Sequence, residues 1–484
     1  MNRATLLRLL IDMSRGRLKL FLENFLFYGG LSMLTKALPF ITLPIVTRLL
    51  PDARAYGIAD MFNLINSFGT AIAILGMYDA IFREFFEDKE NIEYKKKVTS
   101  TGLIIVLISS VTMIFLTLLF NKYIAKLLFK SVEYRNLVAI SAFAIGIGGV
   151  SAIVAVPTRM RNNRRVYLYT GITFPIIGFI ITYFLIKLGY TYKAIVYSNL
   201  VMSGVSLLTF YILNRKDFSL TLFDRKIAKE LLRIGLPLLP TFLIYWVYNS
   251  MDRIMINRML GSTELGVYSV GAKVAAVSQL LYTAFAGGWQ YFAFSTMKDS
   301  DQVELNSKIF EYLGIISFGL LIISQPFIKP VFNILFIGEY ARGNEVFSYL
   351  FLSPLMLMLF QIIANQVIVV KKSYLSTVAL SLGAVLNIVL NYILIKNYGI
   401  KGAALSTLLS YIVSVLFMSL ICYKYKLLKI SKRFIAVSLN MIILIGISFF
   451  LKNKVINIIF YINNLIVILF LYVKELRNIR RIKL

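Results

Sequence analysis

The chain has 484 residues, is 58% hydrophobic, and carries 52 Lys and Arg against 23 Asp and Glu, a formal charge of +29. One cysteine, Cys422, and no histidine exclude a disulfide framework, a Cys/His zinc site and histidine-based acid–base chemistry. Apolar runs long enough to cross a hydrocarbon core of about 30 Å recur throughout, so the chain reads as an all-α polytopic membrane protein and the basic charge requires no nucleic acid.

In residues 1–22, Leu6, Leu7, Leu10, Ile11 and Leu18 alternate with Arg3, Arg8, Arg15 and Arg17, the pattern of an amphipathic segment lying on the cytoplasmic membrane surface. No compact apolar core with a small-residue cleavage site follows it, so no cleaved signal peptide is expected. Fourteen spans are predicted near residues 25–47, 57–78, 98–120, 136–157, 166–186, 194–213, 234–256, 265–288, 309–328, 346–370, 373–395, 400–422, 434–451 and 455–473. They divide into a first six-helix bundle over 23–214, a cytoplasmic linker over 215–233, a second six-helix bundle over 234–424, and two further helices with a basic cytoplasmic tail over 425–484.

Orientation follows from Lys and Arg, because acids contribute little to it. Segments on the N-terminal side hold 34 of these residues and the opposite loops 15; the remaining three, Lys36, Arg253 and Lys273, fall inside spans. Both termini are therefore expected in the cytoplasm of a cell with this protein in its cytoplasmic membrane, with anionic lipid headgroups attracted to the basic face.

The chain also resembles itself at an offset near 209. Tyr183-Phe-Leu-Ile-Lys187 matches Tyr392-Ile-Leu-Ile-Lys396, with Gly189 and Gly399 following. Arg48-Leu-Leu-Pro51 through Tyr56-Gly57-Ile58 matches Arg258-Met-Leu-Gly261 through Leu265-Gly266-Val267, and Arg165 to Tyr167 matches Lys372 to Tyr374. Partners lie six spans apart, so both halves share one orientation, the parallel repeat with a pseudo-twofold axis along the membrane normal and a site where the halves meet.

A cation in mid-span costs about 2.5 to 3.5 kcal/mol on insertion scales, so Lys36, Arg253 and Lys273 each need a compensating group: a bound anion, or a structural partner such as Asp60, Asp79 or Asp252. Arg253 follows Asp252 directly, and neighbours in a helix point about 100° apart, so the two are expected to meet different partners. Arg48, Arg54 and Arg258 sit at span ends, as interfacial anchors or at a cavity mouth, and Arg83 and Arg159 flank inner openings as solvated loop charges. Tyr245, Trp246, Tyr248 and Asn249 could contact sugars or simply pack. Pro39 and Pro44 in the first span, and Pro237 and Pro240 in the seventh, interrupt the leading helix of each half.

The segment Gly235-Leu-Pro-Leu-Leu-Pro-Thr-Phe-Leu-Ile-Tyr-Trp-Val-Tyr-Asn-Ser-Met-Asp-Arg253, continuing through Asn257-Arg-Met-Leu-Gly-Ser-Thr-Glu-Leu-Gly-Val-Tyr268, resembles the seventh and eighth helices of bacterial polysaccharide flippases of the Wzx type, within the multidrug/oligosaccharidyl-lipid/polysaccharide exporter superfamily. Thr47-Arg-Leu-Leu-Pro51 and Tyr56-Gly57 resemble that family's opening. The resemblance implies a MATE-like pair of six-helix bundles that alternate between inward and outward openings. It also implies an undecaprenyl-pyrophosphate-linked oligosaccharide as substrate, for O-antigen or capsule (lipopolysaccharide or a related envelope polymer), with a polymerase and glycosyltransferases as partners and a monomeric transporter. A cationic cavity of Lys36, Lys273, Arg253, Arg48, Arg258 and Arg83 would hold the pyrophosphate, since Arg offers a planar fork and Lys a point charge. Asp60, Asp79 and Asp252 would couple transport to H+ or Na+, or respond to the membrane potential; no cofactor or metal is expected.

Two other transporter functions remain open: a cation-coupled multidrug exporter of the same superfamily, disfavoured because a cationic cavity repels cationic drugs, and a lipid II flippase. An enzyme is disfavoured. Asp299-Ser-Asp301 matches the acidic pair of many glycosyltransferases but has no globular domain around it, and no G-x-x-x-x-G-K-[ST] motif for ATP occurs.

Overall fold

The computed structural model describes residues 38–88, 91–295, 299–370, 372–451 and 454–479. Lys36 and the amphipathic segment over 1–22 lie outside the described residues. In chain order the helices are α1 (Leu38–Leu49), α2 (Ala53–Ile74), α3 (Met77–Phe85), α4 (Ile92–Leu119), α5 (Asn121–Phe129), α6 (Arg135–Val154), α7 (Val156–Met160), α8 (Arg164–Lys187), α9 (Tyr192–Asn214), α10 (Arg225–Gly235), α11 (Leu239–Met259), α12 (Ser262–Ala275), α13 (Ser278–Ser295), α14 (Gln302–Leu335), α15 (Asn344–Val369), α16 (Tyr374–Lys424), α17 (Lys432–Phe450) and α18 (Lys454–Ile479). Ten helices among the described residues are long and apolar enough to cross a membrane, and the chain is a multi-pass membrane protein.

Helix starts are written in short polar side chains. Asp52 accepts from the Ala55 backbone N–H at 2.8 Å, Asn91 from that of Tyr94 at 2.9 Å, and Ser431 from that of Phe434 at 3.1 Å. The linker expected over 215–233 overlaps most of α10, whose Ile227, Ala228 and Leu231 are buried against α3 and α4 while Arg225, Lys229 and Arg233 are exposed.

Helix breaks are equally local. Leu75 and Gly76 take positive φ of 52° and 69° between α2 and α3, and a one-turn 3-10 helix at Leu236–Leu238 separates α10 from α11. The two breaks touch: a Cβ on Gly76 would lie 2.3 Å from the Gly235 carbonyl oxygen, so only glycine fits there. The 51-residue α16 covers the two spans expected over 373–395 and 400–422, and it breaks at Gly399, where φ is 61° and ψ is −144°. Gly189, its partner in the repeat, also has positive φ, 92°, just beyond α8. The span expected over 265–288 falls across α12 and α13, which part at Ala276 and Val277.

The chain forms two compact units. One ends at Lys273 and also takes in Phe336–Gly343 and Ile388–Ala403; the other comprises Val274–Leu335, Asn344–Asn387 and the chain from Ala404 onward. In the first, α6 packs against α2, α4 and α9, around Met77, Ile81, Val106 and Leu231 at one end and Phe62, Ala73, Val138 and Ile145 at the other. In the second, α15 packs against α13 and α14, and α17 against α18.

Within the first unit, α2 and α12 cross with no side chain between them. A Cβ on Gly57 would sit 1.9 Å from the Ser262 carbonyl oxygen, and one on Gly266 would sit 1.9 Å from that of Ala53. Gly57 pairs with Gly266, and Ala53 with Ser262, at the repeat offset of 209, so the contact is reciprocal, as a local twofold through the crossing requires.

Candidate functional site

That crossing positions a buried charge cluster one turn further along both helices. Asp60 on α2, 3% exposed, accepts a hydrogen bond from Ser269 Oγ at 2.7 Å and pairs with Arg253 Nη1 on α11 at 3.6 Å. Ser269 is the repeat partner of Asp60. Asp252 is 5% exposed; its carboxylate accepts from Tyr268 Oη and, at 2.7 Å, from the Arg253 backbone N–H. The two neighbouring carboxylates thus have separate donors, and the guanidinium has its counter-ion on another helix. Arg253 Nε is nonetheless buried without a hydrogen-bond partner.

Lys273 on α12 reaches over the Tyr56 ring, 5.0 Å from its centroid, and that ring meets Tyr340 edge-on at 6.3 Å. Tyr340 Oη donates to the Asp52 carbonyl at 2.8 Å, tying the aromatic pair to the N-cap of α2. Lys273 also lines a cavity of about 760 Å3 inside the first unit, and it is the one formally charged residue among those described as lining it.

The rest of that lining is uncharged: apolar side chains such as Leu43, Val46, Phe174, Phe179 and Met202 alternate with groups able to hydrogen-bond, Asn63 and Asn66 from α2, Ser151 from α6, Thr182 from α8, and Ser198, Asn199, Ser203 and Ser206 from α9. On α9 these positions follow helical spacing and share one face of an otherwise apolar helix. Some are held by their neighbours. Asn199 Nδ2 donates to Asn63 Oδ1 at 2.8 Å, Ser198 Oγ to the Gly178 carbonyl at 2.7 Å, and Ser151 and Ser206 share a bond of 3.0 Å. Asn66 Oδ1 is buried with no partner. Pro175 inside α8 removes one backbone donor from the wall and leaves a carbonyl one turn earlier without its helical bond.

The other residues singled out in the sequence lie elsewhere. Arg48 and Arg258 are exposed at the ends of α1 and α11. Arg83, exposed near the end of α3, pairs with the buried Glu84 at 2.9 Å and with the exposed Glu87 at 3.5 Å. Asp79, outside the spans, has its carboxyl pushed above the ordinary range by burial, with Arg159 pulling the other way. Trp246 Nε1 donates to Ser67 Oγ at 3.0 Å and its ring lies 4.6 Å from Phe68; Tyr248 is 2% exposed, and Asn249 Nδ2 donates to the Tyr245 carbonyl at 2.7 Å. None of these four lines the 760 Å3 cavity. Among the described residues, no group of three or more Cys, Asp and Glu is placed to hold a metal ion.

Comparison with known proteins fits this architecture. Over 411 residues the chain is 24% identical to a protein of Haloferax volcanii described as a probable low-salt glycan biosynthesis flippase, covering 84% of this chain and 82% of the relative. It is 26% identical over 261 residues to an uncharacterized membrane protein of Methanocaldococcus jannaschii, covering 52% of this chain and 50% of that one. Among solved structures, the lipid II flippase MurJ in an inward closed conformation superposes with a TM-score of 0.65 at 18% identity, over 94% of this chain and 99% of that chain. An inward-facing multidrug resistance MATE transporter of the MOP superfamily gives 0.62 at 16% identity, over 81% and 95%. The fold is therefore of the MurJ/MATE kind. The family model described as "Polysaccharide biosynthesis protein" matches residues 45–336, more than half of the chain and including the whole charge cluster. The chain belongs to the polysaccharide biosynthesis protein family.

Proposed function

We propose that the protein is a flippase that moves a lipid-linked oligosaccharide repeat unit from the cytoplasmic to the outer leaflet of the cytoplasmic membrane. The observation that carries this is the 760 Å3 cavity, whose wall mixes amide and hydroxyl side chains with apolar and aromatic ones around one cation. Its volume falls in the range of about 300 to 1,000 Å3 usual for ligand pockets. A sugar presents hydroxyls that donate to and accept from Asn and Ser, whereas a phosphate needs a cation; Lys273 with Asn63, Asn66 and Asn199 offers both. Among the described residues the cavity wall presents one cation and no carboxylate, so it offers nothing to hold a cationic drug.

No bond is made or broken in this function. A ligand that binds one conformation better shifts the equilibrium between them, and the lipid tail stays in the bilayer while the sugars cross in the cavity. Supporting this are the relative described as a glycan flippase and the MurJ-like fold. The proposal includes fourteen spans in two pseudo-symmetric bundles plus two C-terminal helices, both termini cytoplasmic, and delivery to an O-antigen, capsular or related polymer. A glycosyltransferase and a polymerase would act before and after it. Coupling to H+ or Na+, or to the membrane potential, would act through the buried Asp60 and Asp252.

The test is the distribution of lipid-linked oligosaccharide between leaflets in cells lacking the protein, with wild type or the Lys36→Ala/Lys273→Ala variant restored. Build-up on the inner leaflet relieved only by wild type is expected. Unchanged pools in the deletion would sink the proposal.

A further inference from the structure

Two adjoining cavities in the second unit have no role in the cavity described above. One, of about 400 Å3, is polar and is lined by Lys308, Lys429 and Arg433 with Glu304 and Glu311, three cations against two carboxylates. The other, of about 170 Å3, is apolar and is lined by Phe318, Met356, Leu416, Phe434, Leu439 and Ile442 among others. Ile430 lines both, so the polar chamber and the apolar groove lie side by side.

The chamber is built rather than incidental. Glu311, 9% exposed, has one oxygen occupied by Ser431 Oγ at 2.8 Å and Tyr472 Oη at 2.5 Å. These bonds fix α17 and α18 to α14. Ser307 Oγ accepts from the Lys429 backbone N–H at 2.9 Å, which holds the chain between α16 and α17 across the chamber. The Arg433 guanidinium stacks on the Tyr472 ring at 5.2 Å and donates to the Leu471 carbonyl at 3.2 Å, so it is held at the rim. Lys308 pairs with Glu304 at 2.8 Å. The groove opens sideways: Leu416, Leu439 and Ile442 are 52%, 57% and 42% exposed, and in a bilayer they face hydrocarbon.

We infer that this pair of cavities binds one anionic phospholipid of the adjacent leaflet, with its phosphate at Lys308, Lys429 and Arg433 and an acyl chain along the groove. A lining with one cation more than carboxylates at the head and a dry channel at the tail match that molecule, whereas a zwitterionic lipid brings a cation of its own beside the phosphate. The inference requires only that the chain spans a bilayer and does not depend on what it transports. Because the site joins α14, α17 and α18, its occupancy would stabilise the second unit.

The experiment titrates the purified full chain in detergent with phosphatidylglycerol or phosphatidylcholine of the same acyl composition, reading native mass spectra and thermal unfolding. Saturable binding of one phosphatidylglycerol with a raised melting temperature, and no such shift from phosphatidylcholine, is expected. Lys429→Ser/Arg433→Gln should weaken binding at least about tenfold. Lys432→Ser, which removes one charge beside the chamber without lining it, should bind as wild type and controls for folding. Leu439→Trp should exclude the lipid by filling the groove. Equal shifts from both lipids, or wild-type binding by the double variant, would overturn the inference. Preferential binding of undecaprenyl phosphate would also overturn it, by making the site one for the transported lipid.

Discussion

Gly57→Ala and Gly266→Ala should destabilise the protein strongly and by similar amounts. Each new Cβ would start 1.9 Å from a carbonyl oxygen of the opposite helix, and ordinary contact begins at 3.4 Å, so α2 and α12 must part by about 1.5 Å if nothing else moves. Both obstacles are backbone, which cannot rotate aside as a side chain can. A gap of 0.5 to 1 Å already forfeits about a quarter to a half of each dispersion contact, and overpacking a tight site costs about 1 to 3 kcal/mol, so a cost near the top of that range is expected. Lipid supplies no hydrophobic drive to restore the crossing. The separation also pulls Ser269 from Asp60, whose bond is 2.7 Å, one turn away. Gly204→Ala is the control: it lies in α9 with nothing within 4 Å of the new Cβ, so helix propensity alone should stabilise it, by up to about 1 kcal/mol. Thermal unfolding in one detergent compares the three. Wild-type stability in either crossing variant would refute the close contact, and a large disparity between them would refute its reciprocity.

Removing one member of the buried pair should cost more than removing both. Asp60→Asn leaves Arg253, a quarter exposed, without its ion-pair partner, at a cost below the about 3 to 5 kcal/mol of a fully buried pair, and Asp60→Asn/Arg253→Gln should recover part of that in a thermal double-mutant cycle. The Asp224 carboxyl, N-cap of α10, is held below the ordinary range chiefly by the Ile227 backbone N–H and then that of Lys226. Its contribution is present above the unfolded pKa of about 3.9 and is lost as pH falls through the lower folded value, so Asp224→Ala should melt below wild type at neutral pH and converge with it in acid. For Asp79, whose folded pKa is raised, the sign reverses: its contribution fades as pH rises through the folded value. Asp79→Asn should therefore melt above wild type at about pH 7 and match it at about pH 4.

Much of the fold was legible because a membrane demands long apolar runs, and glycine repeats mark where backbone must turn or touch. Gly189 with Gly399, and Gly57 with Gly266, were visible as sequence matches, and each pair proves to share a conformation or a contact. The need to compensate Arg253 was legible from its cost, but its partner was not, because Asp60 lies nearly two hundred residues away and helix geometry set aside the adjacent Asp252 without choosing among the rest. Tyr245, Trp246, Tyr248 and Asn249 drew notice as large polar side chains in a recognisable segment. The lining of the cavity instead uses small neutral ones, which carry no insertion penalty large enough to stand out singly. Their signal was positional, in Ser198, Asn199, Ser203 and Ser206 on one face of α9. The α10 helix was hidden by its charge, since Arg225, Lys229 and Arg233 read as a soluble linker until Ile227, Ala228 and Leu231 are set on the opposite face.

The central claim is that the cavity around Lys273 carries a sugar across the bilayer. Its most direct test reconstitutes wild type, Lys273→Ala and Asn66→Leu/Asn199→Leu in liposomes containing a labelled lipid-linked oligosaccharide, and measures how much label becomes accessible to an external glycosidase over time. The account predicts rapid exposure with wild type, and loss of that rate with both variants while the proteins remain folded. No flipping by wild type, or wild-type rates in both variants, would contradict it.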